Sequence, residues 1–493
     1  METGANPPSR WEPSEGSQTL PSGRARAWHD RDDLLLALGA AAWLVALIVW
    51  WPAGLSYSDE VGYLGQAKLF LEGRIRWMPG APGIWNPTPH GVVAQYPLLL
   101  PLLLAPLFRL SPSAIFLVGV VPALALTWLV SRILKSWGSS PCWALIFLAH
   151  PTMVILARTE MSDLLLTSLA VGSWWALKHR RALPAILLLA ATMAARPTGV
   201  PIAAAIIAGE VFETWWRAGL SLGNLSQAKR QIAIGAIGFT FGMVLVLTSN
   251  VLTTGGVRFG YNYRPGIPSF SASYILRTGP AYLRALLANP PLLLLGILPL
   301  WRRRLITPLV VIASFGTMML FYVWVDWAPT WFETMVLSER LILPIVAFLM
   351  IGYAAGLSQL AERLRLTKVC KVLLVIAPAA IAFKIGSRHH SWQQPMVAAR
   401  TAAAELVQKV GSNELGLTYE SSKAALMFPG KTVWVGKNTP QPAVFLCATH
   451  GNSYRTIAAG IFDEDSCDPP GYRKVETLNG FVLMLRDDVA APR

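Results

Sequence analysis

Residues 56–77 read SYSDEVGYLGQAKLFLEGRIRW. The stretch follows an apolar run, Leu34–Trp51, and sets two adjacent carboxylates, Asp59 and Glu60, just past that run's end. Tyr63, Ala67, Phe70 and Leu71 then recur at helical spacing, with Lys68, Glu72 and Arg74 between them. That pattern predicts an amphipathic helix lying on a membrane surface. Arg24, Arg26 and Arg31 precede the run, so the positive-inside rule puts its start in the cytoplasm and the acidic pair outside.

The composition supports a membrane setting. Of 493 residues, 54% are hydrophobic and 14% are charged, against roughly 25% charged in a soluble domain. Apolar runs of the roughly 20 residues that a span needs recur along the chain. Twenty Trp and twelve Tyr suit interfacial belts. The net charge of +15 gathers in short loops between apolar runs and comes with no base-reading module, so no nucleic-acid partner is expected.

The first 32 residues, rich in Pro, Ser and Gly, read as a disordered cytoplasmic tail. Residues 52–113 form an external loop. Its Pro-rich part, VVAQYPLLLPLLLAPLFRL, is expected to be juxtamembrane or re-entrant, because counting it as a span puts Arg132 and Lys135 on the wrong side. Further spans are predicted at about Ile115–Leu134, Trp143–Ala157, Met161–Leu177, Leu183–Ala195, Val200–Thr214, Ile232–Leu252, Pro291–Leu300, Ile306–Val325, Leu341–Leu360 and Val372–Phe383. The expected fold is thus an all-α polytopic membrane protein of about eleven spans plus juxtamembrane helices. After residue 385 the composition turns polar. ELGLTYE, TVWVG, AVFLCATHG and GFVLMLR read as strands, AARTAAAELVQKVG and SYRTIAAGI as helices, and Asn479-Gly480 as a hairpin turn. Residues 386–493 are therefore expected to form a small extracytoplasmic α/β domain. There a disulfide between Cys447 and Cys467 would be favoured.

Several side chains stand out, each with a plainer reading beside it. Asp59 and Glu60 could serve as a general base or hold a divalent cation, or be solvated loop acids. Glu160 and Asp163 would share a helix face, with Asp163 about a turn into the membrane; Arg158 is the obvious partner that would make them structural. Arg196, before Pro197, and Arg340 could grip a phosphate or anchor the interface. Arg258, Tyr261, Tyr263 and Arg264 suit a sugar or phosphate, or an ordinary interfacial loop. His389 and His390 read as interfacial.

Taken in order, these features resemble the GT-C superfamily of polyprenyl-phosphate-dependent glycosyltransferases, in particular the aminoarabinose transferase, protein O-mannosyltransferase and lipopolysaccharide galacturonosyltransferase group. The resemblance covers about residues 33–385. It rests on YSDEVGY after the first span, AKLFLEGR, QYPLLLPLL, the span-opening ARTEMSDLLL, ARPTG one span later, and the late ERLILP. It implies Asp59 as catalytic base, with Glu60 a helper. It implies Glu160, or Asp163, as the second acid, and Arg340 near the lipid phosphate, although Leu341 replaces the Tyr usual after that Arg.

The implied activity is inverting transfer of a sugar from a polyprenyl-phosphate donor to an acceptor hydroxyl of a glycan, lipid or protein at the outer face of the cell membrane. A divalent cation near Asp59 and Glu160 would be its cofactor. The competing readings are a transporter or lipid flippase and a non-enzymatic assembly protein. Of these, an enzyme core is expected to keep some activity when the residues after Ser387 are deleted.

Overall fold

The computed structural model describes residues 24–75, 85–88, 91–94, 97–221, 226–254, 270–322, 336, 338–417, 421–434, 441–448, 471–478 and 481–489. Among these, five helices are long and apolar enough to cross a bilayer: Arg31–Val49, Pro112–Ser136, Ser226–Thr253, Leu343–Arg363 and Thr367–Lys409. Shorter apolar helices, Leu99–Leu110, Ala182–Ala195, Leu293–Arg302 and Ile306–Leu320, pack among them. Leu343–Arg363 is the central helix, with most of its side chains buried. The first helix instead exposes Leu34, Leu38, Val45, Ile48 and Val49, the apolar surface expected to face lipid.

The elements that build the site are few. Helix α1 (Arg24–Val49) is the first apolar run. Helix α2 (Ser58–Leu71) follows it, and ends in a left-handed turn at Gly73 (φ +69°), where Gly73 N–H donates to Phe70 O and Arg74 N–H to Leu69 O. Helix α3 (Leu99–Leu110) has only 12 residues, about 18 Å at 1.5 Å per residue. It is too short to span, in line with the juxtamembrane expectation.

The first difference lies in two expected spans, one of them Pro291–Leu300, which is a 3-10 turn, Leu293–Gly296, followed by six helical residues, Ile297–Arg302. Trp143–Ala157 is not a continuous helix but a 3-10 turn, Pro141–Ile146, and a six-residue helix, α4 (Pro151–Leu156). Pro151 forces the break: the residue before a proline is driven to extended backbone, and His150 has ψ 121°. Helix α5 (Ser162–Lys178) begins after a short loop.

The amphipathic surface helix expected from the opening stretch is a second difference. In α2, residues 60–69 are all buried. The reason lies at the far end of the chain. Helix α6 (Thr367–Lys409) runs 43 residues without interruption, from the membrane region into the C-terminal part. There a five-stranded mixed sheet forms in the order β4-β3-β5-β7-β6, counting the 85–88 and 91–94 hairpin strands as β1 and β2. β3 (Glu414–Leu417) pairs in parallel with β4 (Lys431–Trp434) and β5 (Val444–Ala448); β7 (Phe481–Arg486) runs antiparallel to β5 and to β6 (Tyr472–Leu478).

Leu478 sits opposite Phe481; Asn479 and Gly480, expected to form a hairpin turn, lie outside the described residues. β6 was not foreseen; its exposed Lys474 and Glu476 hide the strand pattern. SYRTIAAGI lies outside the described residues. Val61, Leu64 and Ala67 of α2 share one hydrophobic core with Leu104 of α3, Met396 and Leu406 of α6, and Leu415, Val444 and Leu483 of the sheet. α3 and the segment 422–430, which leads into β4, therefore cover the face of α2 that the sequence leaves for water, and the sheet extends the same core behind them.

Candidate active site

Asp59 and Glu60 both lie in the first turn of α2, where negative charge meets the positive end of the helix dipole. Their surroundings separate them. Glu60 is fully buried. Its carboxylate accepts from the N–H groups of Ser56 (2.5 Å), Tyr57 (2.6 Å) and, across the chain, Glu160 (2.8 Å). It thus caps α2 and ties it to the loop before α5. Tyr63 and Ser162 reinforce that joint through their hydroxyls, 2.7 Å apart. Burial pushes the Glu60 carboxyl up to about 7, against the three backbone donors that favour its charged form.

Asp59 points elsewhere. Arg340 Nη1 donates to its Oδ2 at 3.1 Å and also approaches Met161 Sδ at 3.7 Å. The Asp59 side chain is 19% exposed and that of Arg340 is 6% exposed. Glu60, Glu160 and Asp163 are at 2% or below. Of the four acids singled out by sequence, Asp59 is the one that solvent reaches.

Glu160 and Asp163 do not share a helix face. Glu160 precedes α5, whose N-cap is Met161, and only Asp163 is in the first helical turn. The Glu160 carboxyl is fully buried with neither oxygen partnered. Burial first, then the neighbouring Glu60 charge, raise it well above the usual carboxylate range. Asp163 forms a short ion pair with Arg196, both buried. Arg158, the partner expected from sequence, is not engaged there.

A polar cluster that the sequence did not single out sits beside Arg340. Glu339 is fully buried. It accepts from the Thr152 hydroxyl and from Asn289 Nδ2 (2.7 Å), and lies 3.3 Å from His150 Nε2. His150 Nε2 also meets Asn289 O at 3.0 Å. Two segments far apart in the chain, 150–152 and Asn289, thus clamp the residue next to Arg340. The signal available in the sequence was a His-Pro inside an apolar run and an acid adjoining Arg340.

Arg258, Tyr261, Tyr263 and Arg264 lie outside the described residues. Cys447 is disulfide-bonded, and Cys467 also lies outside the described residues. Among those described, no group of three or more His, Cys, Asp or Glu side chains is placed to share a metal ion. Asp59 is turned to Arg340 and Glu60 to backbone N–H groups, so no step below is routed through a metal.

The fold is that of a polytopic membrane protein, and it is shared with solved structures. Its counterparts are two crystal structures of ArnT from Cupriavidus metallidurans. The one bound to undecaprenyl phosphate matches with a TM-score of 0.59 at 12% identity, covering 95% of this chain and 100% of that one. The apo form matches with a TM-score of 0.56 at 12% identity and the same coverage. No protein-family model matches the chain, and no curated protein matches it in sequence. At that identity the likeness is one of fold, and it agrees with the GT-C resemblance drawn from the ordered motifs.

Proposed function

We propose that this chain is a membrane glycosyltransferase that moves a sugar from a polyprenyl-phosphate donor to an acceptor hydroxyl of a glycan, lipid or protein. The observation that carries it is the pairing of an accessible carboxylate, Asp59, with a nearly buried guanidinium, Arg340, on a GT-C fold.

In this reading the acceptor hydroxyl gives its proton to the Asp59 carboxylate, and its oxygen attacks the anomeric carbon from the face opposite the lipid phosphate. The bond from anomeric carbon to phosphate oxygen breaks, and its electron pair leaves with the polyprenyl phosphate. One displacement inverts the anomeric centre. Negative charge grows on the departing phosphate, and Arg340 stabilises it, having more donors than Asp59 alone uses. Glu160, buried beside Glu60, offers a hydrogen bond to an incoming polar group when protonated. A divalent cation near Asp59 and Glu160 is the remaining cofactor proposal; it is tested by adding EDTA to the transfer assay, where turnover should fall and return with added Mg²⁺ or Mn²⁺, and undiminished turnover would remove it.

The test uses the full chain purified in detergent. Lipids that co-purify are identified by mass spectrometry, and transfer is followed as release of polyprenyl phosphate. Asp59→Asn is expected to lower turnover by about 10³-fold, within the usual span for a lost general base, with unchanged gel-filtration behaviour. Turnover at the wild-type rate would overturn the reading.

A further inference from the structure

A second group of side chains has donors and nothing to receive them. Arg158, in the loop between α4 and α5, is fully buried. Among the described residues its Nε and Nη1 have no hydrogen-bond partner, and Nη2 reaches only Gly386 O, at 3.5 Å. The indole nitrogen of Trp50 and the Nδ1 atoms of His389 and His390 are likewise buried and unpartnered.

These atoms belong to one place. A Cβ at Gly386 would lie 3.2 Å from Arg158 Nη1, 2.9 Å from Trp50 Cβ and 3.4 Å from Trp50 Cδ1. His389 and His390 follow Gly386 by one helical turn of α6, on the same face. The His390 ring is 5.4 Å from that of Trp50, and the Arg158 charge acts on His389. Glycine in a helix interior costs about 1 kcal/mol relative to alanine. At position 386 any larger residue would push Trp50 and Arg158 apart.

A buried guanidinium left unpaired costs several kcal/mol, and buried donors in folded proteins are almost always satisfied. Two side chains here donate only, Arg and Trp, and the one fixed charge is positive. That chemistry fits an oxyanion, which a guanidinium fork grips bidentately. The setting narrows it further. Trp50 ends α1 beside the exposed Ile48 and Val49, and Phe383 of α6, 49% exposed, packs on the Trp50 ring at 5.5 Å. An apolar chain lying on this face would bring its head group to the cluster.

We infer that Arg158, with Trp50, His389 and His390, forms a binding site for the phosphate group of a membrane lipid, built from residues other than the Asp59–Arg340 pair. The phosphate can come from a phospholipid head group or from a polyprenyl phosphate, and the two are told apart by experiment. The site stands independently of the sugar-transfer reading, because it is read by binding and not by turnover.

The experiment is native mass spectrometry of the detergent-purified full chain, titrated separately with phosphatidylglycerol, with undecaprenyl phosphate and with inorganic phosphate. Wild type is expected to retain a phosphate-bearing lipid. Arg158→Gln should weaken that retention at least about tenfold, as loss of a charged hydrogen bond does. Trp50→Phe, which removes one N–H and keeps the ring, should weaken it by a smaller factor. Arg340→Gln should leave phosphatidylglycerol retention unchanged. Selective retention of undecaprenyl phosphate identifies the polyprenyl source, and equal retention of both lipids identifies a general head-group site. Lipid retention unchanged in both Arg158→Gln and Trp50→Phe overturns the proposal, as does binding of inorganic phosphate with no lipid. If Arg158→Gln does not fold, Trp50→Phe still decides.

Discussion

Lys68 Nζ, in the last turn of α2, donates to the carbonyl of Phe428, 3.0 Å away and 360 residues later in the chain. It also donates to Gly430 O at 3.0 Å and Leu426 O at 3.4 Å, and lies 5.1 Å from the centroid of the Phe108 ring. Burial pulls this ammonium down to about 7, against the Glu72 charge, which favours its charged form. The helix that carries Asp59 is thus pinned to the C-terminal part by one side chain and a shared core.

The first prediction reverses the expectation drawn from sequence for a truncated chain. Ending the chain after Ser387 removes the 422–430 segment that packs on α2 and supplies the acceptors of Lys68, together with the sheet residues that share its core. Such a chain should lose all transfer activity, not keep part of it. Lys68→Met in the full chain should cost about 2 kcal/mol, because three buried carbonyls lose their donor. Thermal unfolding in detergent measures the second, and the transfer assay the first.

Arg196 and Asp163 should behave as a structural pair. Arg196→Gln leaves a buried carboxylate uncompensated and is expected to destabilise by about 3–5 kcal/mol. Adding Asp163→Asn should recover much of that loss. A double variant no more stable than Arg196→Gln alone would show that the two do not act together.

Stability should fall as pH rises from about 5 to about 7.5. Glu60 has a folded value near 7 against the usual 4.5. Below 4.5 both states are protonated and nothing is lost. Between the two values the unfolded chain releases a proton that the folded chain keeps, which weakens the folded state by up to about 3 kcal/mol once both are ionised. Glu160, raised by burial and by Glu60, acts in the same direction. Thermal scans at pH 5, 6, 7 and 8 should show the fall, and Glu60→Gln should flatten it.

Thr152→Val tests the clamp on Glu339. It removes one donor from a fully buried carboxylate and should cost about 1–3 kcal/mol. Because Glu339 adjoins Arg340, turnover should fall further than stability alone accounts for, with lipid retention unchanged. Turnover equal to wild type at a temperature where both are folded would confine Glu339 to a structural role.

Much of the site was legible where chemistry is local. Asp59 was legible because an acid just past an apolar run has few structural reasons to be there, and Arg340 because it opens a span. What was hidden depended on partners far along the chain. The Lys68 side of α2 reads as solvent-exposed because nothing within twenty residues covers it; its cover is α3 and the 422–430 segment. Arg158 reads as the partner of Asp163 because the two are five residues apart. A loop before α5 turns Arg158 toward α6 and leaves Asp163 to Arg196.

The sequence by itself determined that the chain crosses a membrane many times, that it ends in a small mixed domain, and that two clusters of acids flank the early spans. These follow from the burial preferences and periodicity of single side chains, which need no partner to be read. Tertiary structure alone decided which acid meets which base. It left Asp59 accessible and paired to Arg340, enclosed Glu60 and Glu160 together, and stranded Arg158 among donors. Ion pairs act over a few ångströms, and residues 59 and 340 come within that range only after the helices between them have packed.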